Sequence, residues 1–455
     1  MDFLYSVIGF LIAIGVLVAV HEFGHFWVAR KLGVKVLRYS IGFGKPLWRK
    51  VSGEDQIEYV IAAIPLGGYV KMLGEGSAAD PVAPHERHRA FDNQPIWKRT
   101  LIVAAGPGIN FLFAIVLFWI LGMAPKEALV PVLGEVPVES ALAAEGVQAG
   151  ATIVSVDGKP VEFFGQHDLY IFNQVLKGDD IALQLESISG QRRDIVLPVD
   201  DIPIYNINPR LVTWSLGLVP LRPPITPILN QVVAGSPAEL SGLQSGDRIV
   251  AIDGRPVSTW SDLVELVSAA PNRSLNLRVE REQRIISLTA TPEAVERENG
   301  EAGRLGISPV VEPYPDADIV ASQRGPLQAV GYGIEQTWLM SSVTLRMLWK
   351  MVTLQVSHTN ISGPITIAEV SGQALQIGWD YYLYILAVIS ISLGVMNLLP
   401  IPMLDGGHLL MYAVELIAGP NAAEKAFAVG QQLGVLLLVC LMSLAFYNDI
   451  FRLLN

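Results

Sequence analysis

Residues 21 to 25 read HEFGH. On a helix, side chains at i and i+4 share one face, so His21 and His25 can both reach one ion at about 2.0–2.1 Å. Glu22, between them, then stands beside the ion's open position, placed to take a proton from a water there. Zinc lowers the pKa of such a water toward roughly 7. This is hydrolytic chemistry. The competing reading is a pair of interface histidines beside a snorkelling glutamate. The setting weighs against it, because the three side chains close an apolar run that has no charge after Asp2. Unpaired polar groups at that depth are expensive, and an ion would compensate them.

A catalytic tetrahedral zinc takes three protein ligands and leaves one position for water. The chain has one cysteine, Cys440, which rules out paired thiolates and an internal disulfide. The third ligand must therefore be a histidine or carboxylate. The best candidate is Asp405 in NLLPIPMLDGGH. A turn residue before Gly406-Gly407 is the alternative. His408 is a further conceivable ligand, although a solvated loop histidine suits it better. His85 and His88, in APHERHRAF, are expected to face water.

These residues need elements to hold them. With 455 residues, 51% hydrophobic, and a mean hydropathy of +0.41, the chain is too apolar for one soluble domain and too long for one core. A span takes roughly 20 apolar residues. Phe3 to about Val28, Thr100 to about Met123 and Phe427 to Phe446 qualify, and Tyr381 to Leu399 is slightly short but apolar enough. The first is expected to stay in the mature protein, since Asp2 replaces a basic start and no small-residue cleavage site follows. Two crossings separate the first and third spans. The HEFGH end of one and the LDGG end of the other therefore fall on the same side of the membrane, whichever way the chain is oriented.

Charge orients it. Ala29 to Arg99 holds twelve Lys/Arg against seven acids, several of the basics abutting span ends, which predicts a cytoplasmic loop and an external N-terminus. Residues 124 to 325 hold 16 basic and 27 acidic residues and would lie outside, as would the C-terminus. In that segment QAGATIVSVDGKPV (Gln148–Val161) repeats as QSGDRIVAIDGRPV (Gln244–Val257), eight of fourteen positions agreeing. A fixed internal period signals duplicated units, each a strand closed by an Asp-Gly turn, an amphipathic stretch and further alternating segments. Residues 38 to 72 read as short strands with turns. Arg324 to Thr359 reads as a partly amphipathic helix or pair, either in the outer interface or packed in a core.

The repeated units resemble PDZ domains. HEFGH in a first span, four spans, two PDZ-like units between the second and third, and NLLPIPMLDGG after the third together resemble the bacterial site-2 protease family, over nearly the whole chain. The resemblance implies a polytopic α-helical membrane protein of four transmembrane helices, with a cytoplasmic-side, membrane-associated β-hairpin and two tandem periplasmic PDZ-like α+β domains. The expected divisions are residues 1–30 (first span), 31–97 (loop with the strands), 98–123 (second span), 124–221 and 222–315 (the PDZ-like units), 316–375 (interfacial helical region), 376–400 (third span), 401–426 (LDGG segment and cytoplasmic loop) and 427–448 (fourth span).

Functionally, the resemblance implies a zinc metalloprotease of the inner membrane that cleaves membrane-spanning segments. One catalytic Zn2+ would be held by His21, His25 and Asp405, with Glu22 as base. Asn397, Pro400 and Pro402 would line the substrate site, together with Gly67, Gly68 and Tyr69 of the hairpin-like IPLGGYVKM. AGPGINF, Gly106 to Asn110, also matches a family pattern. Expected partners are the lipid bilayer and single-span proteins such as an anti-sigma factor trimmed by another protease, or leftover signal peptides; the PDZ-like pair would screen substrates by size. No nucleic-acid partner is expected. Taken on the residues alone, a metal-dependent transporter or a PDZ scaffold with a non-catalytic metal site is the alternative. Transport sites favour repeated bundles, whereas here the repeat is extramembranous, and neither alternative needs Glu22.

Overall fold

The computed structural model describes residues 2–76, 82–222, 225–297, 300–310 and 314–454. Helix α1 (Asp2–Lys31) leads into two long strands, β1 (Val36–Ser52) and β2 (Ile57–Met72), and then helix α2 (Ile96–Met123). Strand β3 (Lys126–Leu129) opens a long segment that closes with β16 (Ile319–Ser322), and the two pair antiparallel as a neck.

Between them lie two units. The first comprises α3 (Ala141–Ala144), β4 (Thr152–Val156), β5 (Lys159–Pro160), α4 (Asp168–Lys177), β6 (Ile181–Glu186), β7 (Arg192–Leu197) and α5 (Pro209–Leu216). The second comprises β8 (Leu229–Val232), α6 (Pro237–Leu240), β9 (Arg248–Ile252), β10 (Arg255–Pro256), α7 (Trp260–Ser268), β11 (Leu275–Arg281), β12 (Arg284–Ala290), β13 (Glu293–Arg297), β14 (Gly300–Arg304) and β15 (Ile307–Pro309). Their sheets have matching orders, β5-β4-β6-β7 and β10-β9-β11-β12. The sequence repeat marks the shared turn, where Asp157 accepts the Ala182 amide at 2.8 Å and Asp253 accepts that of Asn276 at 2.9 Å.

Helix α8 (Pro326–Val352) is one continuous helix. Its Val343, Met347 and Met351 complete the core of the first unit, and it carries a separate exposed apolar stripe, Leu327, Val330, Ile334 and Trp338. After it come α9 (Pro364–Ile377), α10 (Trp379–Leu398), α11 (Asp405–Ala418) and α12 (Pro420–Leu454). Among the described residues, four helices are long and apolar enough to cross a membrane: Phe3–Lys31, Ile96–Met123, Trp379–Leu398 and Gly430–Leu453. Helices α1, α2 and α10 share a core containing Leu17, Phe118 and Ile391. Tyr382 of α10 donates to the Gly9 carbonyl of α1 at 2.7 Å, and Ser390 donates to the Asn110 carbonyl of α2 at 2.9 Å.

Three expectations change. The short strands of residues 38 to 72 are two long strands, each bent on itself: Ile41 lies opposite both Gly68 and Ile61, and Val60 opposite both Ser40 and Arg49. The segment expected as a loop after the LDGG stretch contains a helix that begins on Asp405, so the turn reading of that residue fails. The last helix also runs past Phe446. Just beyond it, Asn448 and Asp449 are both buried. Asp449 accepts the amides of Gly363 and Ile365, each at 2.9 Å, and so caps α9 from a neighbouring helix. Asn448 donates to the carbonyls of His358 and Ile361.

Candidate metal centre

Helix α1 presents His21 and His25 one turn apart, toward α2. Close approach of α2 is possible because position 106 is glycine: a Cβ there would stand 2.2 Å from His25 Nε2 and 2.9 Å from His21 Cε1. His25 Nδ1–H donates to the Ile102 carbonyl at 2.9 Å, which leaves Nε2 with its lone pair free. Asp405 enters from the first turn of α11. Its Oδ2 lies 3.2 Å from His21 Nε2 and 3.5 Å from His25 Nε2, while the two ring nitrogens are 3.3 Å apart. Two residues earlier in the chain, the bend that delivers Asp405 is tight, with Met403 at φ 89°.

This triangle tests whether zinc fits. A tetrahedron with metal–ligand bonds of about 2.0–2.1 Å has edges of about 3.3 Å, so three ligand atoms at that mutual spacing can meet one ion. The carboxylate oxygen Oδ2 is buried and lacks a hydrogen-bond partner. With both imidazoles neutral and protonated on Nδ1, it faces nitrogen lone pairs, an arrangement that repels unless a cation lies between. The residues fit the ion. Among the described residues, they form the one group of three or more side chains whose ligand atoms converge in this way, and His408 is outside it.

Glu22 is buried and packs under β2, where a Cβ on Gly68 would stand 2.8 Å from the Glu22 Cγ. All four residues line a cavity of about 910 Å³, shared with Gly68, Tyr69, Asn397 and His408. Of the other expected substrate residues, Gly67 lies against the Phe43 ring and Pro402 against Gly430 and Gly434 of α12, while Pro400 is exposed; none of the three lines the cavity. Tyr69 accepts from Arg38 at 2.9 Å, and its ring stacks on Phe43. His85 and His88 are exposed, on a short 3-10 turn.

Other cavity residues were not singled out from the sequence. Arg99 of α2 and Glu415 of α11 form an ion pair at 2.7 Å, with the Arg99 guanidinium 5.0 Å from the Tyr412 ring centroid. Glu75, after β2, accepts the Met72 amide at 3.0 Å. Charged residues flanking an apolar span were the available signal, but they read as orientation markers.

The sequence model described as "Peptidase family M50" matches residues 9–441. The chain belongs to peptidase family M50. This M50 peptidase is 42% identical to the Escherichia coli protein named regulator of sigma-E protease RseP, with both chains covered in full. It is 40% identical to Protease RseP of Yersinia pestis, again over the whole of both. A Vibrio cholerae protein whose name carries the words zinc metalloprotease is 39% identical over 99% of this chain and all of its own. As an M50 peptidase, the protein is a zinc metallopeptidase, anchored as a multi-pass membrane protein by its apolar helices.

The glycine at 106 yields a test. Gly106→Ala should weaken zinc binding by at least about tenfold, since its methyl group displaces the His25 ring. Zinc content of the purified variant, with helix content confirmed by circular dichroism, measures this; full zinc retention would mean that the His25 ring is not a ligand.

Proposed function

We propose that the chain is an intramembrane endopeptidase in which His21, His25 and Asp405 hold the catalytic zinc and Glu22 moves the proton. The observation that carries the reading is the ligand triangle at tetrahedral-edge spacing, with Glu22 opening into the same cavity. Zinc bound there supplies a Lewis acid that acidifies water and polarises the scissile carbonyl. Glu22 takes the water's proton and returns it to the leaving amide nitrogen. Asn397 lies on the cavity wall, where its amide is able to hold one backbone group of the substrate.

A transmembrane helix must unwind before its peptide bond can be attacked, and amides left unpaired in lipid are costly. We assign the compensating partner to β2. Its second half pairs with β1 along one side, and Gly68, Tyr69 and Val70 line the cavity. An extended substrate segment is then held by main-chain hydrogen bonds along the free edge. The exposed Phe43, Leu47, Trp48 and Ile61 of the hairpin support its contact with lipid. The cation-rich 29–99 loop supports a cytoplasmic position for the hairpin and metal centre. That leaves the N- and C-termini, and the two sheet units as PDZ-like domains, in the periplasm. Relatives named as regulators of sigma-E protease support a place in the sigma-E response, and with the site-2 protease resemblance we infer a trimmed single-span anti-sigma factor as the substrate class, with remnant signal peptides as a second.

Two variants test this on a tagged single-span substrate. Glu22→Gln should keep zinc and lose cleavage by about 10²–10⁴-fold; cleavage at the wild-type rate would remove Glu22 from the mechanism. Tyr69→Pro should abolish cleavage with zinc content unchanged, because proline cannot donate to a strand. Unimpaired cleavage would sink the edge-pairing role.

A further inference from the structure

Asn110 is fully buried in α2, one turn after Gly106. Its Nδ2 position lies 3.1 Å from His21 Nδ1, and its Oδ1 has no hydrogen-bond partner. The backbone carbonyl of the same residue accepts from Ser390, which fixes α2 against α10. The side chain therefore sits behind the His21 ring on a rigid crossing, away from the cavity.

The proton on His21 decides what this contact is. His21 points Nε2 at Asp405 and at His25. To offer the Nε2 lone pair to a cation, a neutral imidazole must carry its proton on Nδ1. The atom opposite Nδ1 then has to accept. The oxygen and nitrogen of an amide exchange places by a half-turn of the group, with almost no change in shape. With that half-turn, Oδ1 comes opposite Nδ1–H and gains the partner it lacks. One amide atom is unpaired in either orientation, so the amide's own count does not choose between them; the His21 proton does. His25 shows the same device, its Nδ1–H donating to the Ile102 carbonyl of the same helix.

We propose that Asn110 is a positioning residue of the metal centre, accepting His21 Nδ1–H through Oδ1 and so holding the ring in the tautomer that presents Nε2 to the zinc. Helix α2 thereby sets both histidines, His25 by a main-chain carbonyl and His21 by a side-chain one. This rests on the reading of His21, His25 and Asp405 as zinc ligands.

The experiment is a zinc-affinity measurement on the full chain in detergent, by competition with a chromogenic chelator. Asn110→Ala, and Asn110→Leu, which fills the same space without an acceptor, should bind zinc about 10–100-fold more weakly. Asn110→Asp keeps the acceptor and should bind no more weakly than wild type. The unfolding midpoint of the metal-free protein should be unchanged in Asn110→Leu. Wild-type affinity in the Ala and Leu variants would overturn the proposal. So would an Asp variant as weak as Ala, because the amide would then be a donor to His21. A metal-free midpoint that falls in step with zinc affinity across all three would reduce Asn110 to a packing residue. A wild-type chain that binds no zinc would instead overturn the ligand assignment itself.

Discussion

Three lone-pair-bearing atoms are held in mutual contact inside a largely apolar bundle. Two imidazole nitrogens and a carboxylate oxygen at 3.2–3.5 Å repel one another and have lost most of their water. A cation between them reverses the sign of that interaction. The remaining architecture works to bring those atoms together. Helices α1 and α2 cross closely at Gly106, β2 covers Glu22 at Gly68, and α11 starts on the residue that supplies the carboxylate.

The supports are spread through the chain. Asp449 ties α12 to the start of α9, and Pro402, three residues before Asp405, is seated against α12. The bend carrying Asp405 is thus braced by a helix that ends near the other face of the bundle. On the opposite flank, the Arg99–Glu415 pair joins α2 to α11 beside the cavity. A partly buried ion pair is weak evidence for stability, but it does fix register between two elements. The candidate metal centre is in this way clamped by α2 from behind and by α11 and α12 from the side.

Much of this was legible in the sequence. HEFGH has helical spacing and so reads as one face, and the parity of the crossings puts LDGG on the same side. The repeat at Asp157 and Asp253 found both sheet units, because an Asp-Gly turn leaves a local signature. What periodicity could not reveal was contact between distant elements. The capping role of Asp449 was not legible, since its partners at 363–366 lie far away in sequence. The bend of β1 and β2 was hidden because each half carries ordinary strand residues. Asn110 was visible only as part of a glycine-rich pattern; its role depends on which ring nitrogen it faces. Pro400 and Pro402 were expected at the substrate, yet neither lines the cavity.

The central claim is joint ligation of one ion by α1 and α11. Zinc-edge X-ray absorption of the purified full chain, alongside its Asp405→Ala variant, tests it most directly. The account predicts a four-coordinate zinc with two imidazole nitrogens and oxygen donors at about 2.0–2.2 Å in the wild type, and loss of most of the zinc in the variant. Zinc retained in Asp405→Ala with an unchanged ligand shell would contradict it.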